Sequence, residues 1–263
     1  PDGATGVIGA TGMQGGDGST SGSGTYGQAA PEVTYSAPAN SLSLGIIATD
    51  NYRNSSNMYF DGFNGITVAE NNGARYWEYI ALSTQSNTSA VSTTVATDSS
   101  WNTGYSEYWV ALVETLKGTT SAPSLYDNYT YANSYNNQVY ADSIYVPAYG
   151  VVVVMSGTEG PGTLVSGITD TAGLTWVKRS SVVGTGTHAE TQAAEVWYAI
   201  NNTASTVGTD ITISYVDGFD DAAVIVATFT DVNLADPFDG SGSGPTNTGI
   251  TGDLGASGAT GPD

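Results

Sequence analysis

The sequence predicts an all-β protein: two tandem β-sandwich modules set between two short glycine-triplet arms. Three observations predict it. Apolar residues come in short β-branched runs or in strict alternation, and no segment longer than ten residues shows helical periodicity. The middle of the chain spells similar strand segments twice, in the same order. Glycine falls at every third position near both ends.

Residues 1–29 form the first arm and linker. Gly3, Gly6, Gly9, Gly12, Gly15 and Gly18 keep a period of three, Ser21 interrupts it, and Gly24 and Gly27 resume it. The last segment, 236–263, repeats the pattern with Gly249, Gly252, Gly255, Gly258 and Gly261. A strict period of three is what a triple helix demands, because every third residue faces an axis where only hydrogen fits. A flexible linker would leave the glycine phase arbitrary. The stretches 18–24 and 240–244 read as Gly/Ser linkers to the core.

Module 1 spans 30–117 and module 2 spans 145–235. Pro38-Ala39 before Leu42–Ile47 parallels Pro147-Ala148 before the apolar run Val151–Val154. Tyr76–Ile80 parallels Val196–Ile200, Thr94–Asp98 parallels Ile213–Asp217, and Val110–Leu116 parallels Val226–Val232. Ile211–Tyr215 and Val224–Phe229 read as two strands, with Asp217–Asp221 as the turn between them. Short strands with Gly/Asn/Asp turns at this spacing suit a sandwich. One large jelly roll is the other architecture the pattern allows. Between the modules, 118–144 is a Tyr/Asn-rich connector carrying Tyr126, Tyr129, Tyr131, Tyr135 and Tyr140. It reads either as a long loop or as a surface packed on a neighbouring subunit or module, since tyrosine favours interfaces.

Composition excludes several functions. The 263 residues carry 5 Lys+Arg against 25 Asp+Glu, a net charge of −20. Five basic residues cannot neutralise a phosphate backbone, so nucleic acid is excluded as a partner. No apolar run reaches the roughly 20 residues of a membrane-spanning helix. With no Cys, disulfides and thiolate metal sites are excluded too. Polarity comes mostly from Ser, Thr, Asn and Gly, the composition of exported surface proteins. No signal peptide is seen, and both ends read as cut from within one kind of repeat.

The candidate sites are few. Acidic loops offer the one plausible metal site: Asp217, Asp220 and Asp221 fall within five residues, and Asp236 and Asp239 follow the last strand. Such oxygens suit Ca²⁺, although the spacing is not that of an EF-hand, and solvated turns are the other reading. Sequons at Asn54, Asn87, Asn128 and Asn201 are consistent with glycosylation. Trp101, in a Ser-Ser-Trp-Asn turn, is the best exposed ring for sugar stacking, whereas Trp77, Trp176 and Trp197 read as core. His188 reads as a loop histidine, with no Gly-x-Ser-x-Gly elbow to make it catalytic. Glu78, Glu107, Glu114, Glu190 and Glu195 read as solvated strand faces rather than paired catalytic acids. Lys117 and Lys178 are the candidates for an intramolecular isopeptide bond.

The Gly-Ala-Thr and Gly-Pro-Asp triplets resemble the collagen-like repeats of bacterial and bacteriophage surface proteins. The second module, with Asp170–Trp176 ahead of its Glu-Val-Trp-Tyr strand, resembles Ig-like or jelly-roll modules of viral and bacterial fibres. The resemblance covers the arms most directly. It implies three chains wound together and an extracellular role, on a cell-surface appendage or a virion fibre. The expectation is a non-enzymatic fibre subunit that assembles with itself as a homotrimer or filament, with Ca²⁺ as the only ion in view. The alternative is a receptor- or carbohydrate-binding module whose partners are surface glycans.

Overall fold

No residue of Val151–Val154 is exposed to solvent, and the architecture follows from that. A strand buried on both faces must lie between two apolar layers. The computed structural model describes residues 11–13, 32–50, 60–70, 78–96, 109–159, 164–183 and 192–238, all of them in strands or the turns that join them. The chain is all-β, with several antiparallel sheets arranged as sandwich layers.

Before residue 118 lie β1 (Thr11–Met13), β2 (Glu32–Ala37), β3 (Ser41–Asp50), β4 (Asn64–Glu70), β5 (Glu78–Asn87), β6 (Val91–Ala96) and β7 (Trp109–Lys117). After it lie β8 (Ser124–Val146), β9 (Gly150–Glu159), β10 (Val165–Asp170), β11 (Val177–Val183), β12 (Gln192–Asn201) and β13 (Val207–Thr230). The first group forms a sheet of order β1-β7-β3-β5-β4 and a separate β2–β6 pair. The second forms a sheet of order β10-β13-β9-β12-β11, with β8 along β13.

The two halves share a strand plan. In each, a central strand (β3 or β9) lies between a strand from later in the half (β7, or 221–229 of β13) and a partner (β5 or β12) that also pairs with an outer strand (β4 or β11). β2 pairs with β6 as the end of β8 pairs with the start of β13: Ala37 faces Val91, and Val146 faces Val207. The turns into the central strands match too, with left-handed backbone at Asn40 and at Tyr149.

Three apolar clusters fill the layers. Tyr35, Ile47, Phe60, Phe63 and Tyr79 pack between the β2–β6 pair and one face of the first large sheet. Gly45 makes room there, since a Cβ at that position would come within 2.6 Å of the Phe60 ring. Val139, Ile144, Val152, Val154, Ile213 and Val224 fill the second half in the same way. The third cluster joins the halves. Leu42, Leu44, Ile46, Ile80, Leu82 and Leu112 of the first sheet meet Val151, Val153, Met155, Val196, Ile225 and Phe229 of the second.

Several expectations change. Residues 124–144 of the Tyr/Asn-rich connector form a strand rather than a loop, and that strand runs on to Val146. Asp217–Asp221 is not a turn between two strands but a bulged corner inside β13, which continues through it. Left-handed Asp217 and Gly218 bend the strand there, so that its two ends serve opposite faces of one core. Of the glycine-triplet arms only Thr11–Met13 is described. Gly12 lies in β1, opposite Ala111 of β7, in a sheet ladder. Gly3, Gly6, Gly9, Gly15, Gly18 and the five glycines from Gly249 to Gly261 lie outside the described residues.

Candidate functional site: a buried junction

The junction between the two large sheets holds a charged pair inside an apolar layer. Glu114 comes from β7, and its neighbours on the same face, Leu112 and Leu116, belong to the shared cluster. Arg179 reaches it from β11. The register of β11 against β12 shifts between Lys178 and Ser180, so Arg179 is the extra residue of a β-bulge, and bulges re-aim side chains. Its Nε donates to Glu114 Oε2 at 2.9 Å. The guanidinium also lies 5.0 Å from the Phe238 ring centroid, a cation–π contact. Burial raises the Glu114 pKa above the ordinary carboxylate range, and the Arg179 charge opposes that rise. Both groups are sealed from solvent, so this pair positions sheets and does not meet a solute.

A second pair lies in the other half. Lys178 Nζ is 2.6 Å from Glu195 Oε1 and 5.1 Å from the Trp197 ring centroid. The Val165 amide donates to Glu195 Oε2. Glu114 and Glu195 are therefore buried and partnered, not solvated strand-face residues as expected. The reason is that each lies opposite a basic side chain of β11, and buried charges persist when paired. Glu78 is described in β5, whereas Glu107 and Glu190 lie outside the described residues. Both candidate isopeptide lysines make ion pairs, Lys117 with the exposed Asp236 and Lys178 with Glu195.

Asn87 and Asn201 occupy equivalent places, opposite Ser41 and Gly150 at the starts of the central strands. Asn87 Nδ2 donates to Ser41 Oγ at 3.2 Å and to Ser43 Oγ at 2.8 Å. Asn201 Nδ2 donates to the carbonyls of Val146, Pro147 and Ser205 at 3.3, 2.9 and 2.9 Å. Both side chains are buried, 3% and 1% exposed. A glycan on either nitrogen would remove these bonds and could not fit, so the two sequons are strand-end clamps in this fold. Asn128 is half-buried on β8, and Asn54 lies outside the described residues.

Among the described residues, no three Asp, Glu or His side chains come together as a metal site. Asp217 is exposed at the β13 corner, Asp221 is buried, and Asp236 faces Lys117. The side chain of Asp220 is not described, and Asp239, Trp101, Trp77 and His188 lie outside the described residues. Trp176 and Trp197 pack half-buried against the second-half core, and Trp176 Nε1 donates to Asp170 Oδ2 at 2.7 Å.

The tyrosines of β8 divide by face. Tyr129 and Tyr131 close the side of the second-half core, with the Tyr131 hydroxyl donating to the Asp142 carbonyl at 2.9 Å. Tyr126, Tyr140 and Tyr145 are about half exposed, at 51%, 53% and 52%. Among the described residues β8 pairs with β13 alone. Only the two-residue period of tyrosine in Tyr129-Thr130-Tyr131 signalled a strand here, and asparagine masked it. No family model, no curated protein and no solved structure matches this chain.

Proposed function

We propose that the chain is a non-enzymatic structural subunit of an extracellular fibre or filament, joined to its copies through the Gly-x-y arms. One observation carries this reading: glycine keeps a period of three in both arms, which flank a core of a wholly different composition. Triple-helical winding gives that period a purpose, because it needs three chains and nothing else. The all-β core supports the reading as a rigid unit, its central strands buried on both faces. We assign the two halves to tandem Ig-like or jelly-roll sandwiches, on the strength of their matching strand plan. The expected setting is a cell surface or a virion.

The test is deletion of residues 1–24 and 249–263. The expected product is folded by circular dichroism and does not assemble in electron micrographs or in sedimentation. Assembly identical to that of the full chain would overturn the arm-mediated reading.

A further inference from the structure

We propose that β1 is a latch: pairing of Thr11–Met13 with β7 holds the N-terminal arm on its own core and withholds it from winding with other copies. This rests on the arm-mediated reading above and adds a control to it. Thr11, Gly12 and Met13 lie opposite Leu112, Ala111 and Val110 in an antiparallel ladder. Gly12 also belongs to the glycine period of the arm. The two settings exclude each other. In a triple helix Gly12 faces an axis shared with two other chains, whereas in the ladder it lies beside β7. The backbone must also turn, because φ differs by about 65° between a polyproline II chain and an antiparallel strand. These three residues therefore serve either the sheet or the triple helix, never both at once.

The fold holds the roots of the two arms on one edge of β7, and holds them unequally. β1 takes Val110–Leu112, and the segment after β13 takes Leu116–Gly118. The C-terminal root is fastened. Leu116 bridges Phe238, which is buried in the shared cluster, and the Lys117 ammonium pairs with Asp236. The Lys117 amide and carbonyl bond Pro237 and Asn233. The N-terminal root has a ladder of 3 residues. Pairing that short is marginal in water, so it opens without unfolding the core. Docking still has a gain, since β1 covers an edge that would otherwise template another strand. Winding needs three released arms at once. Arms released in about a tenth of the copies coincide in threes about a thousandth as often, so a weak latch gives steep control. The latch is intramolecular and indifferent to concentration, whereas winding rises steeply with it. The arm is therefore docked when chains are dilute and wound when they are crowded.

The experiment uses the full-length chain. In unassembled wild type, NMR is expected to show backbone contacts between Thr11–Met13 and Val110–Leu112, and solid-state spectra of filaments are expected to lack them. These readouts need no variant and stand even if a variant fails to fold. Met13→Cys/Val110→Cys supplies a lock. Antiparallel partners lie about 4.5–5.5 Å apart at Cα, within the reach of a disulfide, and the chain has no cysteine of its own. Neither position is a triplet glycine. Oxidised before assembly, this variant is expected to form filaments at least tenfold more slowly than when reduced, and reduction should restore the rate. Oxidised after assembly, it should keep its thiols free. Equal rates in the two states, or a disulfide that forms as readily in filaments, overturns the proposal. So do contacts missing from unassembled wild type or retained in its filaments. Disulfides that join two copies, seen as dimers on a non-reducing gel, place β1 on a neighbour's β7 and overturn it too. If arm deletion abolishes filaments while the locked chain assembles normally, the latch alone is rejected. If arm deletion leaves filaments unchanged, the arm reading is rejected and the latch falls with it.

Discussion

Tyr129 donates its hydroxyl hydrogen to Asp127 Oδ2 at 2.8 Å, and this bond exists only while the phenol is neutral. Burial, then the bond to Asp127 and its negative charge, push the Tyr129 pKa up to about 12. Burial raises Tyr131 as well, and the Asp142 charge adds to it. The sign follows from linkage. The unfolded phenol loses its proton near pH 10, whereas the folded one keeps it, so this stability is complete below pH 10 and lost as pH climbs toward 12. Tyr129→Phe removes the hydroxyl and its share of the alkaline slope. The difference in urea midpoint between wild type and this variant is expected to hold steady below about pH 10 and to shrink above it. A difference constant up to pH 11.5 would show that Tyr129 does not carry the shift. Glu114 shifts in the same direction for the same leading cause, burial, and there the Arg179 charge opposes the rise.

Elements differ in how far their residues announce them. β9 was legible because five consecutive apolar residues, Val151–Met155, fit only a strand covered on both faces. The strand repeats were legible as pairs but slid in register. Leu42 and Val151 do correspond, yet by their pairing with these two the counterpart of Ser86 is Ile200 and that of Leu116 is Phe229, three to six residues from the alignment by tryptophan and valine. The slip came from matching residue types, when what the two halves share is the position of a strand end. Asn87 and Asn201 marked that position and read as sequons instead. β8 was hidden because Asn and Ser lower its hydrophobic contrast. The corner of β13 was hidden because Asp-Gly usually ends a strand, whereas here the chain bends and continues. Gly218 takes φ +80° at that corner, where a Cβ would come within 3.3 Å of the Asn136 carbonyl oxygen. Left-handed backbone costs an L-residue about 1–2 kcal/mol. Gly218→Ala is therefore expected to lower stability by about that amount in a urea titration, with Gly208→Ala, at ordinary backbone and ordinary contact distance in the same strand, as the control. No loss would mean that the corner can form without glycine.

At the scale of the molecule, the question is whether two halves with separate cores unfold separately. Each has its own apolar filling, which favours independence. Against this, Leu42, Leu44, Ile46 and Leu82 lie against Val151, Val153, Val196 and Ile225, and each would face water if the halves parted. A buried side chain of this kind contributes about 1.5–3 kcal/mol, so the eight together contribute about 12–24 kcal/mol, comparable to or above the roughly 5–15 kcal/mol by which a domain is usually stable. Two further ties cross the junction. The Lys117 amide donates to the Pro237 carbonyl, and the Asn233 amide donates to the Lys117 carbonyl, both at 2.8 Å, so the segment after β13 lies along the edge of β7. Glu114 and Arg179 complete the link, and removing one partner of a buried pair costs about 3–5 kcal/mol because the other charge stays behind. One half cannot unfold without stripping the other of its inner face. Calorimetry is thus expected to give one transition, with the calorimetric and van't Hoff enthalpies equal. Glu114→Gln should move that single transition to lower temperature without dividing it. Two resolved transitions in wild type, or a split produced by Glu114→Gln, would show that each half stands on its own core and that the layer between them is a docking surface.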